Sequence, residues 1–296
     1  MTKRAFIVGI NDYQNWQAVP QLSFPNLQYC CADAEAFARQ LVTNQGFAPE
    51  DVLLCENTEA TLNSILGGLQ NMLSQSQPGD VACFYFAGHG GYVPESGWGH
   101  PSARYYQSIV PYDGAGMIFD EQLLSICQTG LNSGVNLTLI LDTGYAGQVD
   151  QNTQGVRGFG WTTDMRNAFV NQARTIIPLV GITDVSFLEN NISNPQASGM
   201  GVTMTVNSDK NWVDGAQAVL LSACDFNQMA NENANQSHGL LTTALLDVLN
   251  QSGTGGIRHD QLLRTLQEKV GVASNHKQTP QLRGRLSLQG QNFLNN

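Results

Sequence analysis

The apolar positions of this chain fall in short unbroken runs separated by stretches with helical spacing. Residues 5–10, 51–55, 81–86, 135–141 and 216–222 read as buried strands. Between them, 30–41 and 61–73 repeat apolar residues at the helix period, with Thr61 placed as an N-cap. Further helices are predicted at 120–127, 238–249 and 260–270, and Pro78-Gly79-Asp80 marks a turn. Strand and helix alternate, which predicts an α/β fold: a mostly parallel, doubly wound central sheet with helices on both faces. The stretch from Gln148 to about Asp214 breaks the pattern. It is rich in Asn, Gln, Gly, Ser and Thr, and a long intervening loop is expected there, with 175–180 its one strand-like run. The run at 5–10 is too short for a signal peptide and reads as the first core strand.

Composition narrows the partners. The chain has 296 residues, 42% of them hydrophobic, enough for a sizeable core. Fourteen basic residues face 24 acidic ones, a net charge of -10, with no basic cluster to offset it. Nucleic acid would be repelled, and no apolar run is long enough to predict a membrane helix. Only 13% of residues are charged, so amides carry much of the polarity and each carboxylate is the more informative. Cys30, Cys31, Cys55, Cys83, Cys127 and Cys224 are scattered without metal-binding spacing. No disulfide framework, metal site or cofactor is expected, and a reducing cytoplasm is the expected location.

Two strand ends carry unusual chemistry, in the position where open parallel sheets bind ligands. The first is Phe84-Tyr85-Phe86-Ala87-Gly88-His89-Gly90-Gly91, an apolar run ending in a glycine-flanked histidine. The second is Leu139-Ile140-Leu141-Asp142-Thr143-Gly144-Tyr145-Ala146-Gly147, a carboxylate followed by a turn of small residues. Taken alone, each is also explained by turn geometry or capping. Cys83 should point into the core, and Cys224 is a weak candidate nucleophile.

Together the two motifs resemble the caspase-like cysteine peptidases of family C14, nearest the metacaspase and prokaryotic orthocaspase branch. In that family a strand ends in Ser/Ala-Gly-His-Gly, matched by Ala87-Gly88-His89-Gly90. About 50 residues later a second strand ends in Asp-x-Cys-His/Tyr-Ser/Ala-Gly, matched by Asp142-Thr143-Gly144-Tyr145-Ala146-Gly147 except that glycine stands where the cysteine nucleophile would be. The resemblance extends to the opening run, to Cys30-Cys31-Ala32-Asp33-Ala34, to the stretch around Leu220–Ala230, and to Gln278-Thr279-Pro280-Gln281. It implies the caspase-haemoglobinase fold and one domain over 1–296, with a large-subunit-like half at 1–147, an intervening region at 148–214 and a small-subunit-like half at 215–296.

The resemblance also assigns roles. His89 would be the general base and acid, the N–H groups of Gly90 and Gly144 the oxyanion donors, and Cys30, Asp33, Asp142 and Asp225 the substrate-binding residues. Two carboxylates in one pocket would select a basic residue before the cut bond, arginine above all. Self-cleavage would then follow Arg157, Arg166, Arg174 or Lys210. Without a thiol at position 144 the chain should not cut. It is either an inactive form of an Arg/Lys-directed endopeptidase or a natural pseudoprotease that binds peptides or regulates a relative. Asp113, Asp120 and Glu121 do not match a calcium site. His100, His238, His259 and His276 show no partner and read as surface or capping residues. A monomer is expected.

Overall fold

Two strands whose residues are all buried form the middle of the molecule: β3 (Val81–Ala87) and β7 (Asn136–Asp142). Unbroken apolar runs such as Val-Ala-Cys-Phe-Tyr-Phe-Ala have no polar face to offer water, so they form strands covered on both sides. In the computed structural model β3 pairs with β1 (Lys3–Gly9) and with β7, both in parallel register. Outward from these lie β2 (Val52–Glu56) and β8 (Ala218–Ser222), also parallel. The last strand, β11 (Gln281–Arg283), closes the edge antiparallel to β8. The resulting order is β11-β8-β7-β3-β1-β2. The structure describes residues 1–17, 24–94, 105–144, 156–158, 217–225, 228–252 and 256–295.

Helices follow the strands as the alternation predicts. A short α1 (Gln14–Gln17) precedes α2 (Cys30–Asn44), which connects β1 to β2, and α3 (Leu62–Gln75) connects β2 to β3. Right-handed crossovers that step first one way and then back place α2 and α3 on opposite faces of the sheet. The Thr61 hydroxyl caps α3 by accepting from the Ser64 N–H at 3.1 Å, and Ile65, Leu69, Met72 and Leu73 form its buried stripe. Helix α4 (Asp120–Gly130) packs beside α3, while α5 (Leu240–Ser252) packs on α2 and on α6 (His259–Ala273); α7 (Leu286–Gln289) lies near β8. Among the described residues no helix is long and apolar enough to cross a membrane.

Three departures from the sequence expectation matter. Directly after His89 the chain builds a second, antiparallel sheet from β4 (Gly90–Pro94), β5 (Tyr105–Ile109) and β6 (Ile118–Phe119), which the glycine-rich spelling did not reveal. The expected helix at 238–249 begins only at Leu240. His238–Gly239 is instead a short strand, β10, paired with β9 (Glu232–Asn233). Within the expected loop at 148–214, only Val156, Arg157 and Gly158 are described. The possible strand at 175–180, His100, Arg166, Arg174 and Lys210 lie outside the described residues.

The sheet reverses its order between β1 and β3, and a crevice opens where neighbouring crossovers diverge. Ile10, just after β1, donates its N–H to the Ala87 carbonyl at 3.0 Å, and His89 donates its backbone N–H to the Tyr13 hydroxyl at 2.8 Å. Asp142 lies in register with Ala87, so the two strand-end motifs leave the sheet side by side.

Candidate active site

His89 is fully buried at the end of β3. Its Nε2 lies 2.7 Å from the Pro25 carbonyl oxygen, which can only accept, so the proton is on Nε2 and Nδ1 carries the lone pair. Among the described residues that Nδ1 has no hydrogen-bond partner. The ring packs against Tyr13 (4.6 Å between centroids) and Phe24 (5.6 Å). Burial, reinforced by the nearby Arg157 cation and opposed by the Pro25 hydrogen bond, lowers the imidazole pKa to about 4. The ring is neutral at physiological pH.

The second strand end meets a guanidinium. Asp142 closes β7, and its Oδ2 is 2.8 Å from Nη1 of Arg157. Nη2 of the same side chain pairs with Asp33 Oδ2 and lies 3.4 Å from Glu232 Oε1. Asp33 enters from the first turn of α2, Glu232 from β9, and Arg157 is wholly buried among them. Each carboxylate is fixed from behind. Thr242, in the first turn of α5, donates its hydroxyl to Asp142 Oδ2 at 2.6 Å, and the Tyr85 hydroxyl is 2.6 Å from that same Thr242 oxygen. Asp33 accepts from the Gly239 N–H at 3.0 Å and faces His238 Nδ1 at 2.7 Å. Glu232 accepts from the Tyr29 N–H at 2.9 Å.

The charges follow from this arrangement. Burial opposes the Arg157 charge, but the carboxylates of Asp142 and Asp33 outweigh it and hold the guanidinium well above its ordinary pKa. Burial and then the neighbouring Asp33 push the Asp142 carboxyl up, although Arg157 and Thr242 pull it down. Cys30 is buried with its Sγ 3.7 Å from Glu232 Oε1; burial pushes the thiol up, so it stays protonated.

The backbone on either side of Arg157 is held as well. Val156 bridges antiparallel to Asn231, and the Arg157 N–H donates to the Ala230 carbonyl at 2.9 Å. The Arg157 carbonyl accepts from the Gly144 N–H at 2.6 Å and from the Thr143 hydroxyl at 3.2 Å. Gly158 bridges parallel to Gly90. The segment thus lies as an extra short strand across the ends of β7 and β3, the way extended peptides add to exposed backbone.

Of the sequence candidates, Asp33, Asp142, Gly144 and Cys30 converge on Arg157, and His89 feels its charge. Gly90 pairs with Gly158, and the second donor to the Arg157 carbonyl is the Thr143 hydroxyl. Asp225 follows β8 with its N–H on Gln228 Oε1 (3.2 Å), and the third carboxylate beside the guanidinium is Glu232. Glu232, His238 and Thr242 were not foreseen: Glu232 sits among amides in Ala-Asn-Glu-Asn, and nothing local marks it. His259, expected as a surface or capping residue, is buried between the Thr138 hydroxyl and the Gln291 carbonyl. Cys83 points into the core as expected, and Cys224 is buried with Sγ 3.3 Å from the Gln228 carbonyl.

Gly239 shows how tightly the pocket is drawn. A Cβ there would lie 2.7 Å from Arg157 Cζ and 2.7 Å from Asp142 Oδ2. Gly239→Ala is expected to push the guanidinium off Asp142 and cost about 2–3 kcal/mol in chemical unfolding. Wild-type stability in that variant would contradict the packing described.

A model of the caspase domain matches residues 2–289. The chain is 24% identical to metacaspase-1 of Schizosaccharomyces pombe and 25% identical to metacaspase-1 of Mycosarcoma maydis. Both alignments cover 95% of this chain, and 66% and 69% of the relatives, so the chain spans about two thirds of their length. Metacaspase-1A of Aspergillus fumigatus is 30% identical over 49% of this chain and 35% of its own. A crystal structure of a Geobacter sulfurreducens protein superposes with a TM-score of 0.67 at 19% identity, covering 100% of this chain and 99% of that one. The chain belongs to the caspase-domain family of peptidases.

Proposed function

We propose that this chain carries the peptide-recognition cleft of a cysteine endopeptidase that cuts after arginine or lysine and processes itself. In this form it holds peptides without cutting, because Gly144 stands at the nucleophile's position. One observation carries the reading: Arg157 sits with its guanidinium among Asp33, Asp142 and Glu232 while its carbonyl oxygen accepts the Gly144 N–H at 2.6 Å. A substrate needs both at once, a recognised side chain and a polarised carbonyl. Arginine's fork spans the carboxylates, whereas lysine would enter as a point charge.

The remaining parts suit acyl transfer. With a cysteine at 144, the thiol proton would pass to His89 Nδ1 while Sγ bonds to the Arg157 carbonyl carbon. The oxyanion would rest on the 144 N–H and the Thr143 hydroxyl. The bond to Gly158 nitrogen would then break as His89 returns the proton to that amine, and water would later cleave the thioester. In the chain as it stands no atom at 144 can attack. The cleft is assembled within one chain and Cys30, Cys31, Cys55, Cys83 and Cys127 keep free thiols, which supports a monomer acting on polypeptides in the cytoplasm.

The test is Gly144→Cys followed by intact-mass analysis. The expected result is a cut between Arg157 and Gly158, abolished by His89→Ala; cuts only after acidic residues would overturn the basic preference. A second reading, a pseudoprotease that binds or regulates, is favoured by a different contact. A Cβ on Gly144 would lie 2.7 Å from the Ala230 nitrogen and 3.3 Å from Met229 Cα, so the cleft is closed over the very place a nucleophile would need. An uncut Gly144→Cys chain that still keeps Arg157 shielded from trypsin would favour that second reading.

A further inference from the structure

We infer that the cleft reads two consecutive residues, arginine followed by glycine, so that its ligands are polypeptides presenting an Arg-Gly step. The inference rests on the reading that Arg157 occupies the cleft as a ligand would. It adds a second requirement, at the residue after the arginine.

The requirement comes from how closely three glycines approach. A Cβ on Gly158 would lie 2.9 Å from the Gly144 oxygen, 3.0 Å from the Gly144 carbonyl carbon and 3.1 Å from Met229 Cε. The methionine end can turn aside. The Gly144 carbonyl is backbone and yields less readily: Gly144 directly follows β7, which is buried between β3 and β8, and its N–H is held by Arg157. Nor can Gly158 retreat, because it bridges to Gly90 on its other side. Gly90 is confined in turn, since a Cβ there would meet the Thr143 hydroxyl oxygen and lie 3.0 Å from the Gly144 oxygen. Backbone meets backbone at all three positions, an approach open only to residues without a side chain.

An alanine or serine after the arginine therefore forces a choice. Either the guanidinium keeps the carboxylates and the carbonyl lifts off the Gly144 N–H, or the carbonyl stays and the side chain withdraws. This separates the four basic residues of the 148–214 segment by sequence alone. Arg166 is followed by Asn167, Arg174 by Thr175 and Lys210 by Asn211; of the four, only Arg157 is followed by glycine. The one seated in the pocket is the one that meets both requirements.

Limited trypsin digestion with peptide-level mass readout tests this on the full chain. The wild-type bond between Arg157 and Gly158 is expected to resist cleavage while the bond after Lys277, exposed in the bend that follows α6, is cut. Gly158→Ala is expected to raise cleavage after Arg157 at least tenfold without changing the rate at Lys277. If wild type is cut after Arg157 as fast as after Lys277, the seating itself fails, and the preceding reading falls with it. If wild type resists and Gly158→Ala resists equally, the seating stands and the glycine requirement is overturned. Should Gly158→Ala loosen the whole fold, seen as faster cutting at every site, Arg157→Ala with added peptides decides. An acetylated Val-Arg-Gly-Phe peptide should bind that emptied pocket at least tenfold tighter than Val-Arg-Ala-Phe, and equal binding would overturn the proposal.

Discussion

Arg157→Met lowers the unfolding free energy by about 3–5 kcal/mol at pH 8, the loss expected when one partner of a buried ion pair is removed and the other charge is left behind. Methionine keeps much of the volume, so the cost isolates the charge. Asp33 and Asp142 are both wholly buried, and Glu232 faces the same guanidinium. Without the cation the three carboxyl groups repel one another in a site closed to water, and protonation is their escape. Asp142, already pushed up by burial and by Asp33, is the group to take the proton first. The penalty should therefore shrink as pH falls from 8 to 5, when variant and wild type are compared at each pH. Chemical unfolding of both proteins measures it. A pH-independent loss below 1 kcal/mol would mean that the guanidinium is not in the pocket.

Acid destabilises the protein steeply through two histidines far apart in the fold. His89 and His259 each titrate near pH 4, burial being the first cause for both. Unfolded, each would titrate near pH 6.5. The sign follows from proton counts. Between pH 6.5 and 4 the unfolded chain binds protons that the folded chain refuses, so stability present above pH 6.5 is lost as pH falls toward 4. Each histidine contributes about 3 kcal/mol over that range, since one unit of pKa difference is about 1.4 kcal/mol. The two rings add about 2.7 kcal/mol per pH unit to the slope of unfolding free energy near pH 5, against an opposite contribution from Asp142 and Glu56, whose carboxyls burial pushes up. Measured at half-unit steps, His259→Gln should lower the slope by about 1.4 kcal/mol per pH unit while leaving the pocket untouched. A slope unchanged by His259→Gln would contradict the burial of that ring.

The legibility of this molecule in its sequence depends on how local each feature is. β3 and β7 announce themselves because parallel strands buried on both faces read as near-continuous apolar runs, and the glycine-flanked His89 and the terminal Asp142 mark where they end. Thr61 capped α3 as its spacing predicts. The pocket is only half legible. Asp33 and Asp142 stand in motifs, but Glu232 and His238 reach the site from 75 and 205 residues away from the partners they bind, and no periodicity records such pairs. The helix expected from His238 starts two residues late for the same reason: Gly239 gives its N–H to Asp33, and β10 forms instead. Arg157 was one of four equivalent basic residues in a polar stretch. Its neighbour Gly158 is the local signal that sets it apart, and that signal gains meaning only once the crowding around Gly144 is known.

The central claim is that Arg157 fills the carboxylate pocket, and arginine-selective labelling of the native wild-type chain tests it most directly. Phenylglyoxal modification, followed by peptide mass analysis over time, compares Arg157 with Arg264. Arg157 is wholly buried while the Arg264 side chain is 76% exposed, so Arg264 should be modified promptly and Arg157 only when the protein unfolds. Modification of Arg157 at the rate of Arg264 under native conditions would contradict the account.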